Sequence, residues 1–300
     1  MDRLDAMRLF VRVAERGNFS AIAQEMGVAR SVVTRQIAAL EAHLQAKLLA
    51  RSTRRLSLTS AGAAYLEKCR LILNLVESAE SDIAGEQPML RGAIRMSVPL
   101  SFGVRHLAPL LLEFAVLYPE VSLNVDYSEQ RSNLFEEGID LAVRIASRLD
   151  PGDVARRIGT SRLCVVAAPD YLARHGTPEH PADLIHHECL GYTGTPNPLL
   201  WEFIIDGRPK GFPIRGRLLA SNGDVLLQAA TAGFGLTCAP AFVCADALRS
   251  GTVTEILTGY AIAPLGIHVL LPGNRLVPQR VRALMNFLAE RLGQDPPWNI

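Results

Sequence analysis

The chain has 300 residues, 31 Lys plus Arg against 30 Asp plus Glu, 49% apolar residues and 6% aromatic residues. That composition excludes a disordered chain, a collagen-like chain and a small disulfide scaffold. The length is twice the ~150 residues of an ordinary domain, so two or three globular units are expected, each burying its own core.

The near-neutral total hides an asymmetry. Residues 1–66 carry 10 Lys/Arg and 5 Asp/Glu, a net of +5, which leaves 21 against 25 and a net of −4 for the rest. A basic head on a mildly acidic body fits a chain of which one end meets an anionic polymer. The five cysteines (Cys69, Cys164, Cys189, Cys238, Cys244) are scattered without a Cys-x-x-Cys pair. They are expected to be reduced and mostly buried, with neither disulfide framework nor zinc ribbon. The start, Met1-Asp2-Arg3-Leu4-Asp5, has no apolar run of signal-peptide length, and no stretch holds 18 uninterrupted apolar residues. A cytoplasmic protein without a membrane partner is the expectation.

Along the chain, Leu4, Met7, Ala14, Ile22, Met26, Val33, Ile37, Leu40 and Leu44 recur at three and four, with breaks at Gly17-Asn18 and Gly27. Three short helices follow. Residues 50–58 lose that period and read as a small basic two-stranded hairpin. From Thr59 or Ser60, either of which can cap a helix, to about Ala84 runs a long helix. Tyr65, Cys69, Ile72, Val76, Ala79 and Ile83 repeat along it at 3.5 residues. Such a stripe asks for a partner helix, the alternative being packing onto its own body.

Gly85-Glu86-Gln87-Pro88 reads as a hinge. Beyond it strands are expected at 93–98, 121–127, 141–145, 163–168, 188–192, 201–206, 236–239 and 267–271. Helices are expected at 104–118, 134–137, 170–175, 224–232, 241–250 and 278–291. Apolar strands alternating with helices predict parallel sheet covered on both faces.

Phe19 to Val28 followed by Ala29 to His43 has the layout of a helix-turn-helix. Ala23 lets the helices approach, Gly27 permits the turn, and Val28 is expected to plug the gap between them. With Val33, Ile37, Leu40 and Leu44 turned inward, Arg30, Ser31, Val32, Thr34 and Arg35, with Ala38 beyond them, are left to face base edges. Arg51, Ser52, Thr53, Arg54 and Arg55 are placed to grip phosphates.

At Leu4 to Phe10, Gly17 to Ala21, Thr34 to Glu41 and Arg51 to Gly62 the chain resembles the LysR-type transcriptional regulators. The resemblance implies an α/β protein with an all-α head. Residues 1–59 would form a winged helix-turn-helix, 60–84 a dimerising linker helix and 85–90 a hinge. Residues 91–300 would form a two-lobed effector-binding domain like the periplasmic solute-binding proteins, lobe I being 91–161 and 268–293 and lobe II 162–267. It also implies double-stranded promoter DNA, a small-molecule effector, a second copy (homodimer or homotetramer) and RNA polymerase as partners. The dimer seam would use Tyr65, Cys69, Ile72, Val76 and Ile83. Two residues depart from the family. Ala29 stands where a Ser commonly caps the recognition helix, and Arg30 replaces a frequent Gln or Pro.

In open α/β sheets ligands sit at the carboxyl ends of strands. Ser101, Phe102 and Gly103 follow the strand ending at Val98, where a helix start favours a carboxylate; a plain N-cap is the other reading of Ser101. Arg144 inside an apolar strand must pair with something or reach a ligand. Thr193 and Thr195 follow the strand 188–192, and Asn222 is first a turn or cap residue. Gly233-Phe234-Gly235 is too short for a dinucleotide loop, and nucleophile-elbow, phosphate-loop and zinc-helix motifs are all missing. His186-His187-Glu188-Cys189 alternates faces and makes a poor metal site. The sequence therefore predicts a regulator, not an enzyme, with no cofactor or metal. Its promoter binding would answer to an effector carrying a carboxylate. The rivals are a solute-binding or transferase-like protein and an architectural DNA binder that ignores ligands.

Overall fold

The structure is a computed structural model that describes residues 2–51, 56–83, 90–128, 134, 138–273, 277–293 and 296–299. The chain forms two units: residues 1–90 with 132–139 and 275–282, and residues 91–131 with 140–274 and 283–300.

In the first unit, helix α1 (Arg3–Arg16) begins where the Asp2 carboxylate accepts from the amide of Leu4 at 2.8 Å, and it ends on left-handed Gly17. Asn18 caps α2 (Phe19–Glu25) in the same way, and α3 (Arg30–Leu44) starts at Ala29 with no side-chain cap. These caps set the helix boundaries, because the first amides of a helix have no partner within it. Phe10, Val13, Ile22, Ala23, Val33, Ile37 and Leu40 then bury one face of each helix in a common core. Strands β1 (Leu49–Arg51) and β2 (Leu56–Leu58) pair antiparallel as the base of a wing. Helix α4 (Ser60–Ile83) follows, with Thr59 Oγ1 accepting from the Gly62 amide at 2.9 Å.

Two expectations for this unit are corrected. Val28 is 37% exposed and lies outside the buried core of the head. Its amide closes the turn onto Ala23 O at 3.0 Å, which leaves the side chain outside while Val33 and Ile37 fill the gap. Cys69 is 0% exposed in the head core, and the Tyr65 ring lies 5.6 Å from Phe10. Burial, the main cause, pushes the Tyr65 phenol up to about 12 and the Cys69 thiol to about 11. The first turns of the stripe therefore pack against α1, with Cys69 closed within the head core and Tyr65 half-buried beside it. Ile72 and Val76, farther along, are half-buried.

The second unit holds two five-stranded sheets, one per lobe. Lobe I orders β4 (Val121–Tyr127), β3 (Gly92–Val98), β5 (Leu141–Ala146), β14 (Leu265–Leu271) and β6 (Val154–Ser161). Between β3 and β4 run α5 (Leu100–Phe102), a π turn (Gly103–Leu107) and α6 (Ala108–Leu117). Lobe II orders β11 (Leu219–Ala220), β8 (Cys189–Tyr192), β12 (Leu236–Pro240), β7 (Leu163–Ala167) and β13 (Thr254–Ile256). The hairpin β9 (Leu200–Ile205) with β10 (Arg208–Pro213) adds Trp201, Phe203 and Phe212 to the lobe II core. The helices of lobe II are α7 (Pro169–His175), a 3₁₀ turn (Pro181–His186), α8 (Gly223–Thr231) and α9 (Ala241–Arg249). Helix α10 (Gln279–Gly293) belongs to this unit from Ala283 onward, and its Phe287 meets Phe114 of lobe I at 5.5 Å.

The sheets are mixed, which corrects the all-parallel expectation. Strand β14 runs antiparallel to both β5 and β6, and β7 runs antiparallel to both β12 and β13. These are the strands at the two lobe crossings, β6 to β7 and β13 to β14, where the chain leaves one sheet and enters the other. All five thiols are free. The expected helix 134–137 falls largely outside the described residues.

Candidate nucleic-acid interface and effector cleft

The recognition face is built by α3. Val33, Ile37 and Leu40 are buried, while Arg30, Ser31 and Arg35 are exposed and Val32 and Thr34 half-exposed on the first turns. The structure thus brings the five predicted α3 residues together near the helix N-terminus, beside the positive end of its dipole. Among the wing residues, Arg51 ends β1, with its side chain outside the description, and Ser52, Thr53, Arg54 and Arg55 lie outside the described residues.

One residue of this interface escaped the sequence reading. Glu41, on α3, is 8% exposed. Its Oε1 accepts from the amides of Leu48 at 3.0 Å and Leu49 at 3.1 Å, and its Oε2 accepts from Lys47 Nζ at 2.7 Å. Burial alone raises a carboxyl's pKa. Here Lys47 and the two amides outweigh it, and Glu41 lies below the ordinary value. From the other side, Thr59 Oγ1 donates to Lys47 O at 2.6 Å. Gly62 lies so near that an added Cβ would stand 1.9 Å from Leu48 O. The Lys47–Leu49 segment is thereby clamped between the recognition helix and the start of α4, and that segment is the root of the wing.

The lobe junction brings two of the effector candidates together. Ser101 and Asn222 meet across it, the Asn222 Nδ2 donating to Ser101 Oγ at 3.4 Å. Asn222 also caps α8, accepting from the amides of Asp224 at 3.0 Å and Val225 at 3.2 Å. Beside them Arg105 of the π turn reaches Asp224 Oδ1 with Nε at 3.0 Å and Nη2 at 2.6 Å. Arg105 was not foreseen, because its partner lies 119 residues away in sequence.

Other expectations are redrawn. The helical run starts at Leu100, with Pro99 as its N-cap, so Ser101 sits inside the first turn and is not the cap. Phe102 is fully buried in an aromatic cluster. The Gly103 amide is already bonded to Pro99 O at 2.7 Å, and a Cβ there would meet the Tyr127 ring at 2.7 Å. That glycine serves close packing, and its amide is taken by Pro99. Arg144 Nη2 donates to Ser97 Oγ at 3.0 Å and its Nη1 to Val143 O at 2.9 Å. Thr193 and Thr195 lie in the exposed turn after β8, with the Thr195 hydroxyl donating to Tyr192 O at 3.0 Å. The His186–Cys189 run disperses as expected of alternating faces. His187 Nδ1 meets Tyr171 Oη at 3.4 Å, while Glu188 accepts from the Arg217 amide at 2.5 Å.

The run Leu100–Leu117 is apolar enough to cross a membrane by length and composition, with mean hydropathy 1.5. It is instead part of lobe I. Leu107, Leu111 and Phe114 are buried, Arg105 pairs with Asp224, and Glu113 pairs with Arg291.

Comparison with known proteins gives two family matches along the chain. Residues 4–63 fit the bacterial regulatory helix-turn-helix protein, lysR family, and residues 88–293 fit the LysR substrate binding domain. An uncharacterized HTH-type transcriptional regulator of Haemophilus influenzae is 34% identical over 288 residues, covering 96% of this chain and all of that one. The solved structure of CrgA, a LysR-type regulator of Neisseria meningitidis, superposes with TM-score 0.62 at 31% identity, covering 97% of this chain and 99% of that one. The full-length virulence activator AphB of Vibrio cholerae gives TM-score 0.60 at 29% identity, covering 96% and 99%. A head with an outward-facing third helix, carried by a chain whose remainder matches an effector-binding domain, is a regulator's plan, and the chain belongs to the LysR family of transcriptional regulators.

Proposed function

We propose that α3 reads base edges of a promoter through Arg30, Ser31, Val32, Thr34 and Arg35 while the wing arginines hold phosphates. The carrying observation is the split of α3 into a buried apolar side and an exposed basic and hydroxyl side. Arg35→Ala is expected to weaken specific binding by about 2 kcal/mol, and non-specific binding by less. Gel retardation at two salt concentrations, on operator and on scrambled DNA, measures both; equal losses would demote Arg35 to a phosphate contact.

The effector is a small carboxylic acid taken at the lobe junction. Ser101 and Asn222 supply hydrogen bonds there, and Arg105 supplies the charge once it exchanges Asp224 for the ligand. Differential affinity for two lobe arrangements then shifts the spacing of paired heads and the contact with RNA polymerase. A thermal-shift panel of small carboxylic acids tests this. A ligand whose stabilisation survives Arg105→Gln undiminished would refute the role of Arg105.

The working form is a homodimer joined along α4 through Ile72 and Val76, with α6 as a second seam. Val104 on the π turn, with Leu112 and Val116 eight and twelve residues further on in α6, leaves apolar side chains exposed, Val116 to 81%. Exposed side chains of this kind mark a protein contact. Ile72→Asp is expected to halve the mass seen in solution by light scattering; an unchanged mass places the seam elsewhere.

A further inference from the structure

The last residues of the chain bring a buried indole to the lobe junction. Trp298 is 1% exposed. Its ring meets His106 at 4.6 Å and Phe102 at 5.3 Å, both edge to face, and Phe242 at 6.3 Å. Phe102 in turn meets Phe242 at 5.2 Å, and His106 Nε2 lies 3.0 Å from Phe242 O. Phe102 and His106 belong to lobe I, before α6; Phe242 belongs to lobe II, on α9.

The polar contacts repeat this division. Trp298 Nε1 donates to Thr160 O at 3.0 Å, next to the point where β6 crosses into lobe II. One residue earlier, Pro297 O accepts from Arg249 at the end of α9. Two adjacent tail residues are therefore bonded to different lobes, and the indole sits in a slot whose walls come from both. A filler of one core would take its neighbours from one sheet and leave its N–H bond within that sheet. Edge-to-face aromatic contacts and a buried N–H bond are both orientation-dependent, so the slot fits one relative placement of its walls.

We propose that the C-terminal tail is a strap across the lobe junction, with Trp298 as the pin that must leave its slot before the lobes change angle. The strap acts alongside the Arg105–Asp224 pair but is independent of what ligand the junction takes.

Hydrogen exchange by mass spectrometry on the full chain, comparing wild type, Trp298→Phe and Trp298→Ala, tests the proposal. In Trp298→Ala, amides of residues 100–107 and 241–249 should exchange at least tenfold faster, while those of β7 and β12 keep their rates. Trp298→Phe should fall between, since a ring remains but the bond to Thr160 is lost. Acceleration spread evenly through both sheets, or none at all, would overturn the strap. Trp201 and Trp298 are the two tryptophans of the chain, so Trp201→Phe leaves emission from Trp298 alone. That emission should be blue-shifted and shielded from acrylamide, and Arg249→Gln should increase quenching at least twofold. A solvent-like spectrum before the second substitution, or unchanged quenching after it, would also overturn the proposal.

Discussion

Replacing Glu41 with alanine is expected to destabilise the head by about 3 kcal/mol, because the amides of Leu48 and Leu49 lose a charged acceptor in a buried place. The lysine loses less, being able to turn to water. Urea unfolding of the isolated variant against wild type gives the number, and a loss under about 0.5 kcal/mol would show that water replaces the carboxylate. The acid dependence has a definite sign. The folded carboxyl lies below its ordinary 4.5, so the unfolded chain binds the proton more readily. The contribution of Glu41 is present above about pH 4.5 and fades as pH falls through the folded value. Wild type and variant should therefore converge in stability on acidification, and DNA retardation at neutral pH should weaken in the variant as the root of the wing loosens.

Gly62→Ala is expected to cost about 3 kcal/mol as well, by overpacking. The neighbour in the way is the Leu48 carbonyl, with oxygen at 1.9 Å and carbon at 2.8 Å from the added atom. Backbone cannot swing aside as a side-chain end does, so α4 must lift or the Lys47–Leu49 segment must sink. Either movement disturbs the Glu41 bonds, and the two substitutions together should therefore cost less than the sum of the two alone. A double-mutant cycle measured by denaturant unfolding checks the coupling; strict additivity would show that the two clamps act separately.

The helical head was legible because its signals are local: apolar residues at three and four, Asn18 before a helix, Gly17 and Gly27 at positive φ. The period 3.5 of α4 was also visible. That Cys69 is closed inside the head core while Tyr65, Ile72 and Val76 stay half-buried was hidden, since periodicity names a face and not what covers it. Strand direction was illegible for the same reason. Strand β6 went unread because Val154 to Arg157 are all exposed on a sheet edge and show no alternation. In the candidate sites, α3 was found by exclusion of its buried side. Glu41 and Arg105 were missed because a carboxylate meeting loop amides, or a guanidinium meeting a distant helix, leaves no spacing to detect.

Strand β14 lies between β5 and β6, yet the chain visits all of residues 162–264 before supplying it. During synthesis the first lobe must therefore wait with a gap in its sheet while the second is made. Until Leu265–Leu271 emerges from the ribosome, β5 presents a bare edge and β6 has no partner strand, a state that recruits other chains. Premature termination anywhere in the second lobe then yields an aggregating fragment, not a smaller regulator, and the intact head on such fragments would be carried into the aggregate with it.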